Sequence, residues 1–464
     1  MIETFTAANI EREHPEYSAK RHLWQKYRHL CVGGESFLEH ADRYLVRRHK
    51  EGGELYAERL SRAFYENYAG SIVDWYTATL FRREPVILFE GMNDWGRLFY
   101  NEFTEDCDLK GTQFAEFFRK QFVEMLICGR SHIVVDFPRM ADPAESRAQE
   151  DANGRSRAYL VAYSADELLN WSRDAQGNYE WVVLRTSELR KAVVDDQQWT
   201  KHTRWVYYDK TNFRIYERSE KSGAQPTTEL VAEGIHGLAK QHRVPLFDME
   251  VSEGMWLLNK AASLQLEHFN KSNALGWALT MGLFAMPVIY SERDWNQILG
   301  ESYYIQLGPQ DRFGWTEPQG NVYQIATDNL QRLQEEIYRV CYMSQAGGGL
   351  SSGVQSGLSK QRDFAITNEV LRAYGDAVKD SMKRVLRAIE AAREDDLAIG
   401  VTGINEFDIG DFSSELADAQ QLLALGINSP TLKKQVFQRL ALKYLCDARQ
   451  EVKEQIAREI ESAV

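Results

Sequence analysis

The sequence lacks the usual signatures of a nucleotide-driven or metal-dependent enzyme. It has no G-x-x-x-x-G-K-[ST] run and no Gly-Lys pair, so the loop that cradles phosphates in ATPases is missing. No H-E-x-x-H occurs. The five cysteines (Cys31, Cys107, Cys128, Cys341 and Cys446) stand far apart, are odd in number and form no C-x-x-C. That spacing argues against a zinc site and predicts reduced thiols. No metal ion and no cofactor is expected. Positive charge is short as well: 55 Lys and Arg against 68 Asp and Glu give a net charge of −13. This excludes a protein that grips nucleic acid over a broad basic face, though not a surface past which DNA slides. The first residues, Met1 to His14, show no basic start followed by an apolar run, so no secretory signal is predicted. The nearest approach to a membrane span is Ser272 to Ser291, which is uncharged. It contains Asn273, two glycines and Pro287, and Glu267 and Lys271 lie just before it. A span needs about 20 mostly apolar residues. The expectation is a helix buried between subunits, with no membrane partner.

What is present is an ordinary globular composition: 464 residues, 44% hydrophobic and 27% charged, with a high aromatic share of 12%. The length predicts two to four subdomains, and the aromatics predict large packed cores or interfaces.

The stretch from Thr327 to about Asp395 organises the rest. Leu330, Leu333, Ile337, Val340 and Cys341 recur at helical spacing. A run from Gln345 to Ser359 then holds five glycines, four serines and no charge. Such a run holds no regular element, because glycine loses too much backbone freedom and serine competes for backbone hydrogen bonds. From Lys360 to about Glu394 the chain reads as one long helix with one Gly and no Pro.

Upstream, residues 1–55 are charged and carry irregularly spaced histidines, read as exposed or capping. Leu60, Phe64, Tyr68, Ile72, Tyr76 and Leu80 predict a helix from Leu55 to Phe81, ended by Glu84-Pro85, with an extended piece at Val86. Thr112 to Cys128 reads as an aromatic helix stopped by Gly129, leading into a buried strand from Ser131 to Pro138. Short strands follow at Tyr159, Trp181, Thr203 and Phe213, separated by turns such as Asp174-Ala-Gln-Gly-Asn. Together they predict an antiparallel sheet in an α+β domain, with a boundary near Arg243. Glu253 to Phe284 reads as a long helix. Residues 286–325 read as a compact insert with strands at Tyr303 to Leu307 and Asn321 to Ile325. The tail from Ser413 reads as helical.

Gly349-Leu-Ser351-Ser-Gly353 matches the G-x-S-x-G of serine hydrolases. There the acid and then the histidine follow the serine, on a strand-to-helix elbow. All ten histidines here precede Ser351, the last being His268, and no strand-like run leads into the motif. Lys360 and Arg362 sit where the run meets the long helix. Arg372, Lys379, Lys383, Arg384 and Arg387 continue along it, offset by Asp363, Glu369, Asp376 and Asp380. This is a mixed-charge surface.

The order of elements resembles the tailed-bacteriophage portal proteins, over roughly residues 55–460. Local phrasing agrees at Ile72-Val-Asp-Trp-Tyr-Thr-Ala-Thr-Leu-Phe-Arg-Arg-Glu-Pro, at Cys128-Gly-Arg-Ser-His-Ile-Val-Val-Asp-Phe-Pro and at Tyr163-Ser-Ala-Asp-Glu-Leu-Leu-Asn-Trp. The resemblance implies a portal-like α+β architecture: an α+β wing at 1–250, a first stem helix at 251–285 and a small α/β clip at 286–326. It then implies a second stem helix at 327–345, a tunnel loop at 346–358, a long wing helix with short strands at 359–412 and a helical crown at 413–464. It implies no enzyme activity. The implied role is mechanical: a dodecameric homo-oligomeric ring at one capsid vertex of the virion, assembled in the host cytoplasm, through which a separate terminase motor drives double-stranded DNA. Major capsid or scaffold protein and a head–tail adaptor are the other implied partners.

The DNA-facing residues implied are Gly347, Gly348, Gly349, Leu350, Ser351, Ser352, Gly353, Val354, Gln355, Ser356, Gly357, Lys360 and Arg362. An acidic tunnel would let the phosphate backbone slide. The aromatics Tyr290, Trp295, Tyr303, Tyr304 and Trp315, too many for a small insert to bury alone, predict a clip interface. The competing readings are another capsid or connector subunit of a virion, a hydrolase using Ser351, and a membrane protein.

Overall fold

The computed structural model describes residues 5–82, 84–90, 94–138, 157–191, 199–220, 227–282, 286–291, 310, 312–316, 320–343, 357–404, 412–427, 429–444 and 450–463. Helix and antiparallel sheet are mixed throughout, an α+β fold.

The charged N-terminal stretch folds into α1 (Pro15–Val32) and the short α2 (Gly34–Leu38). The ring of His14 caps α1 by accepting from the Glu16 N–H at 3.2 Å, with Pro15 in the first turn. Tyr17, Trp24, Tyr27 and Leu30 bury the inner face of α1. The apolar stripe expected as one helix from Leu55 to Phe81 is two: α3 (Gly53–Ser61) and α4 (Tyr68–Leu80). The break has a physical cause. Asn273, far along the chain, bonds both the N–H and the carbonyl of Phe64, at 3.0 and 2.9 Å, in place of helical partners. Asn67 then caps α4 by accepting from Gly70 N–H at 2.8 Å.

β1 (Val86–Glu90) and α5 (Asp94–Glu105) lead to α6 (Phe114–Cys128). Gly129 ends α6 at φ +80, and a Cβ there would meet the Trp256 ring at 2.9 Å, so glycine is required twice over. The buried strand β2 (Arg130–Asp136) lies between β3 (Tyr159–Tyr163) and β9 (Leu246–Glu250). β9, just after Arg243, pairs antiparallel with β2. Between β3 and β9, the strands β4 (Leu168–Arg173), β5 (Tyr179–Arg190), β6 (Thr200–Asp209), β7 (Asn212–Glu220) and β8 (Thr228–Ile235) form a five-stranded antiparallel meander. Asp174 shapes the β4–β5 turn by accepting from the N–H groups of Gln176 and Asn178.

α7 (Leu257–Gly282) follows, then the two-stranded pair β10 (Met286–Tyr290) and β11 (Arg312–Thr316), then α8 (Gly320–Val340). The strand expected at Asn321–Ile325 is helix, and α8 starts at Gly320 instead of near Thr327. The helical period extends upstream through half-buried Tyr323 and Ala326, leaving Val322 and Ile325 outside. The strand expected at Tyr303–Leu307 falls outside the described residues.

α9 (Gly357–Arg393) buries one continuous stripe, including Leu371, Tyr374, Val378, Met382, Val385 and Ile389. Its one interior glycine has a reason: a Cβ on Gly375 would stand 2.6 Å from the Ile404 carbonyl. β12 (Ala398–Thr402) returns to pair with β1, Val86 opposite Thr402. The tail forms α10 (Phe412–Ala424), α11 (Pro430–Tyr444) and α12 (Gln450–Ala463), and α12 lies against β1 and α5. A single apolar core joins α1, α4, α6, β2, β9, the first half of α7, the end of α8 and α9. Among the described residues no helix is long and apolar enough to cross a membrane.

Candidate functional site: the helical hairpin and its junction

α7 and α8 pack as a hairpin whose two halves differ. The root half of α7 is tied into the body. Gln265 accepts from Ala69 N–H at 3.2 Å and donates to the Glu66 carbonyl at 2.8 Å. Asn270 accepts from Val46 N–H at 2.8 Å and donates to the Tyr44 carbonyl at 3.1 Å. With Asn273, these amides satisfy irregular backbone of the 44–69 region, which explains polar residues on a buried helix face. Leu257, Leu258, Ala261, Ala262 and Phe269 complete the root.

Beyond Asn273 the character changes. Residues 274–280 are apolar apart from Thr280, and none of them is fully buried. Trp277 has the Arg62 guanidinium 5.7 Å from its ring, and Leu279 is exposed. On α8 the matching outer half presents Val322 and Ile325, 64% and 69% exposed. Tyr323 donates to the Ala278 carbonyl at 3.3 Å across this half, and Lys271, just before it, donates to Asn329 at 2.9 Å. This apolar surface at one end of the hairpin makes it the candidate interaction site.

The C-terminal end of α8 is held tightly. Tyr76 donates to the Cys341 carbonyl at 2.6 Å, and Thr367 of α9 donates to the Tyr342 carbonyl at 2.5 Å. Lys260 of α7 bonds the Tyr342 hydroxyl. Thus α4, α7, α8 and α9 meet where the charge-free run begins.

α9 is fixed to the sheets by a buried polar cluster. Asp248 on β9 is bonded by His132 Nδ1 at 2.7 Å, Tyr179 at 2.8 Å and Arg173 at 2.9 Å, while Arg384 of α9 donates to its carbonyl at 2.5 Å. Burial pushes the Asp248 pKa up, but the bond and charge of His132 and the charge of Arg173 outweigh it and hold the carboxyl below its usual range. Arg384, expected on a mixed-charge surface, therefore points into the body. Arg372 and Lys379 do stay in local pairs with Glu369 and Asp376. The His132–Asp248 pair has the bonding of the orienting half of a nucleophile relay. His132 Nε2 has no hydrogen-bond partner among the described residues.

Of the expected tunnel residues, Gly347 to Ser356, with Ser351 among them, lie outside the described residues. Gly357 opens α9, and Lys360 and Arg362 lie in its first two turns. Of the expected clip aromatics, Tyr290 ends β10 and is 66% exposed, Trp315 lies on β11 opposite Pro287, and Trp295, Tyr303 and Tyr304 fall outside the described residues. The reading of residues missed Val322 and Ile325 as a surface, the amide anchors and the Asp248 cluster. Four side-chain amides on one apolar helix, Asn259, Gln265, Asn270 and Asn273, were the available signal for the anchors.

No protein-family description matches the chain, and no curated protein matches it. Among solved structures, it is similar to a chain of the neck of an empty gene transfer agent particle computed with C6 symmetry. The TM-score is 0.45 at 12% identity, covering 78% of this chain and 86% of that one. It is also similar to a chain of the virion of a native gene transfer agent particle, with a TM-score of 0.41 at 11% identity over 77% and 85%.

Proposed function

We propose that this chain is a portal-type ring subunit of a phage-like particle. Copies would close a ring at one capsid vertex, and a separate terminase motor would drive double-stranded DNA through its channel, with capsid or scaffold protein and a head–tail adaptor docking on the outside. The observation that carries the reading is the half-bare apolar outer half of the α7–α8 hairpin on a root locked into the body. A head-to-tail contact between two different patches of one chain closes into a ring when its rotation allows. Such a ring would bury residues 274–280, Val322 and Ile325 against a neighbour. The order of elements supports the rest: hairpin, charge-free Gly/Ser run, long helix.

The reading includes no catalytic step by this chain. In a ring, Lys360 and Arg362 repeat around the channel. Single exposed charge–phosphate contacts are weak and screened over about 8–10 Å at physiological salt. Summed around a ring within an acidic surface, they steady DNA without pinning it.

Negative-stain imaging of the purified chain tests assembly: rings with a central channel are expected, and a persistent monomer at high concentration overturns the reading. Replacing Gly347, Gly348 and Gly349 by alanine tests the channel. It is expected to impair packaging or DNA retention more than ring assembly, and normal packaging counts against a channel-facing run.

A further inference from the structure

α8 ends in an unusual way. Met343 N–H bonds the Tyr338 carbonyl and Tyr342 N–H bonds the Arg339 carbonyl, both at 3.0 Å. This is the paired C-cap in which the residue after the helix turns left-handed, a position glycine normally takes. Here it is Tyr342, at φ +59. A residue with a Cβ is strained in that conformation and glycine is not. The carbonyl bonds from Tyr76 and Thr367 use backbone atoms that glycine would also supply. What glycine lacks is the side chain, and that side chain is gripped: the Lys260 ammonium bonds its hydroxyl and lies 4.1 Å from its ring centroid.

We propose that Tyr342 is the positioning residue of the hairpin–α9 junction. Its side chain ties the end of α8 to Lys260 on α7, and so fixes the direction in which the chain leaves the hairpin. The backbone strain is retained because the grip requires a large phenol at that point. The clamp itself stands on these contacts alone. Its consequence for DNA passage rests on the portal reading.

Hydrogen exchange on the purified full-length chain tests it, read at residues 341–343 and 366–371. Tyr342→Gly, which relieves the backbone and removes the grip, is expected to speed exchange there about tenfold, the scale of one lost charge-assisted hydrogen bond. Lys260→Met should do the same. The double variant should be no faster than either single change, and Tyr342→Phe, which loses the hydroxyl bond but keeps the ring beside the ammonium, should exchange faster than wild type and no faster than Tyr342→Gly. If the tyrosine only caps the helix, glycine leaves exchange unchanged or slower, and that result overturns the proposal. Should Tyr342→Gly fail to fold, Lys260→Met carries the same test with the backbone untouched. In a packaging assay Tyr342→Gly is expected to form rings that package less. Raised exchange with full packaging leaves the clamp standing and removes its role in DNA passage.

Discussion

Placing a carboxylate on the bare face of α8 is the most direct challenge to the ring. Val322 and Ile325 are 64% and 69% exposed in the single chain, so Val322→Asp with Ile325→Asp costs the fold little. Exposed substitutions of this kind usually stay within about 0.5 kcal/mol. Full burial of a Val or Ile side chain is worth about 1.5–3 kcal/mol. With roughly two-thirds of each side chain still bare, a neighbour would gain about 1–2 kcal/mol from each residue, or about 2–4 kcal/mol together. Losing that weakens each subunit contact about 30- to 1,000-fold, before the cost of desolvating two carboxylates is added. Light scattering coupled to size exclusion, over a concentration series, reads the ring-to-monomer balance, and circular dichroism checks that the melt is unchanged. A double variant that forms rings at wild-type concentrations would refute the assignment of this face to a subunit contact.

Two further outcomes follow from the body. Gly375→Ala should lower the melting temperature by about 1–2 °C, because the clash with the Ile404 carbonyl outweighs the gain of about 1 kcal/mol in helix propensity; a variant as stable as wild type would mean α9 can shift away from that carbonyl. Asp248→Asn should cost about 3 kcal/mol at pH 7, the low end for breaking a buried charged pair since the amide keeps one acceptor, and move the urea midpoint by about 1 M. The folded pKa of Asp248 is depressed, so its contribution is full above the unfolded value of about 3.9 and fades as pH falls from there through the folded value. The gap between variant and wild type should therefore close only below about pH 4, and a gap that closes at higher pH contradicts this account.

Much of this architecture was legible in residue patterns, and the exceptions share a cause. Strong one-sided stripes such as Phe114 to Cys128, or Leu371 to Ile389, bury against the same chain, so their period is clean and reads as helix. Turn chemistry at Asp174 and the stop at Gly129 were equally readable, because their partners are local. The break at Phe64 was not, since the group that replaces its helical bonds is Asn273, over two hundred residues away in sequence. The β4 and β8 strands were missed for a related reason. β8 is an edge with most side chains exposed, so it shows little alternation, and β4 is paired irregularly, with a register shift on either side of Asn170 to Ser172.

The misreading of Asn321 to Ile325 is more informative than the others. Val322, Tyr323 and Ile325 looked like strand because apolar residues stood on both sides of the segment. In the fold, Tyr323 and Ala326 take the side facing α7, while Val322 and Ile325 stand bare on the other. A helix that must satisfy its own chain on one face and another surface on the opposite face carries two stripes, and two stripes interleaved blur the 3.6-residue period that identifies a helix. The same blur runs through residues 274–280 of α7, apolar almost all round and half-exposed all round. An all-round apolar helix belongs either in a membrane or inside a larger packed assembly. α7 is too polar at its root to span a membrane, with Gln265, Asn270 and Asn273 committed to backbone of the body. In the ring proposed above, these segments, which sequence patterns describe worst, are the ones that a second copy of the chain would complete.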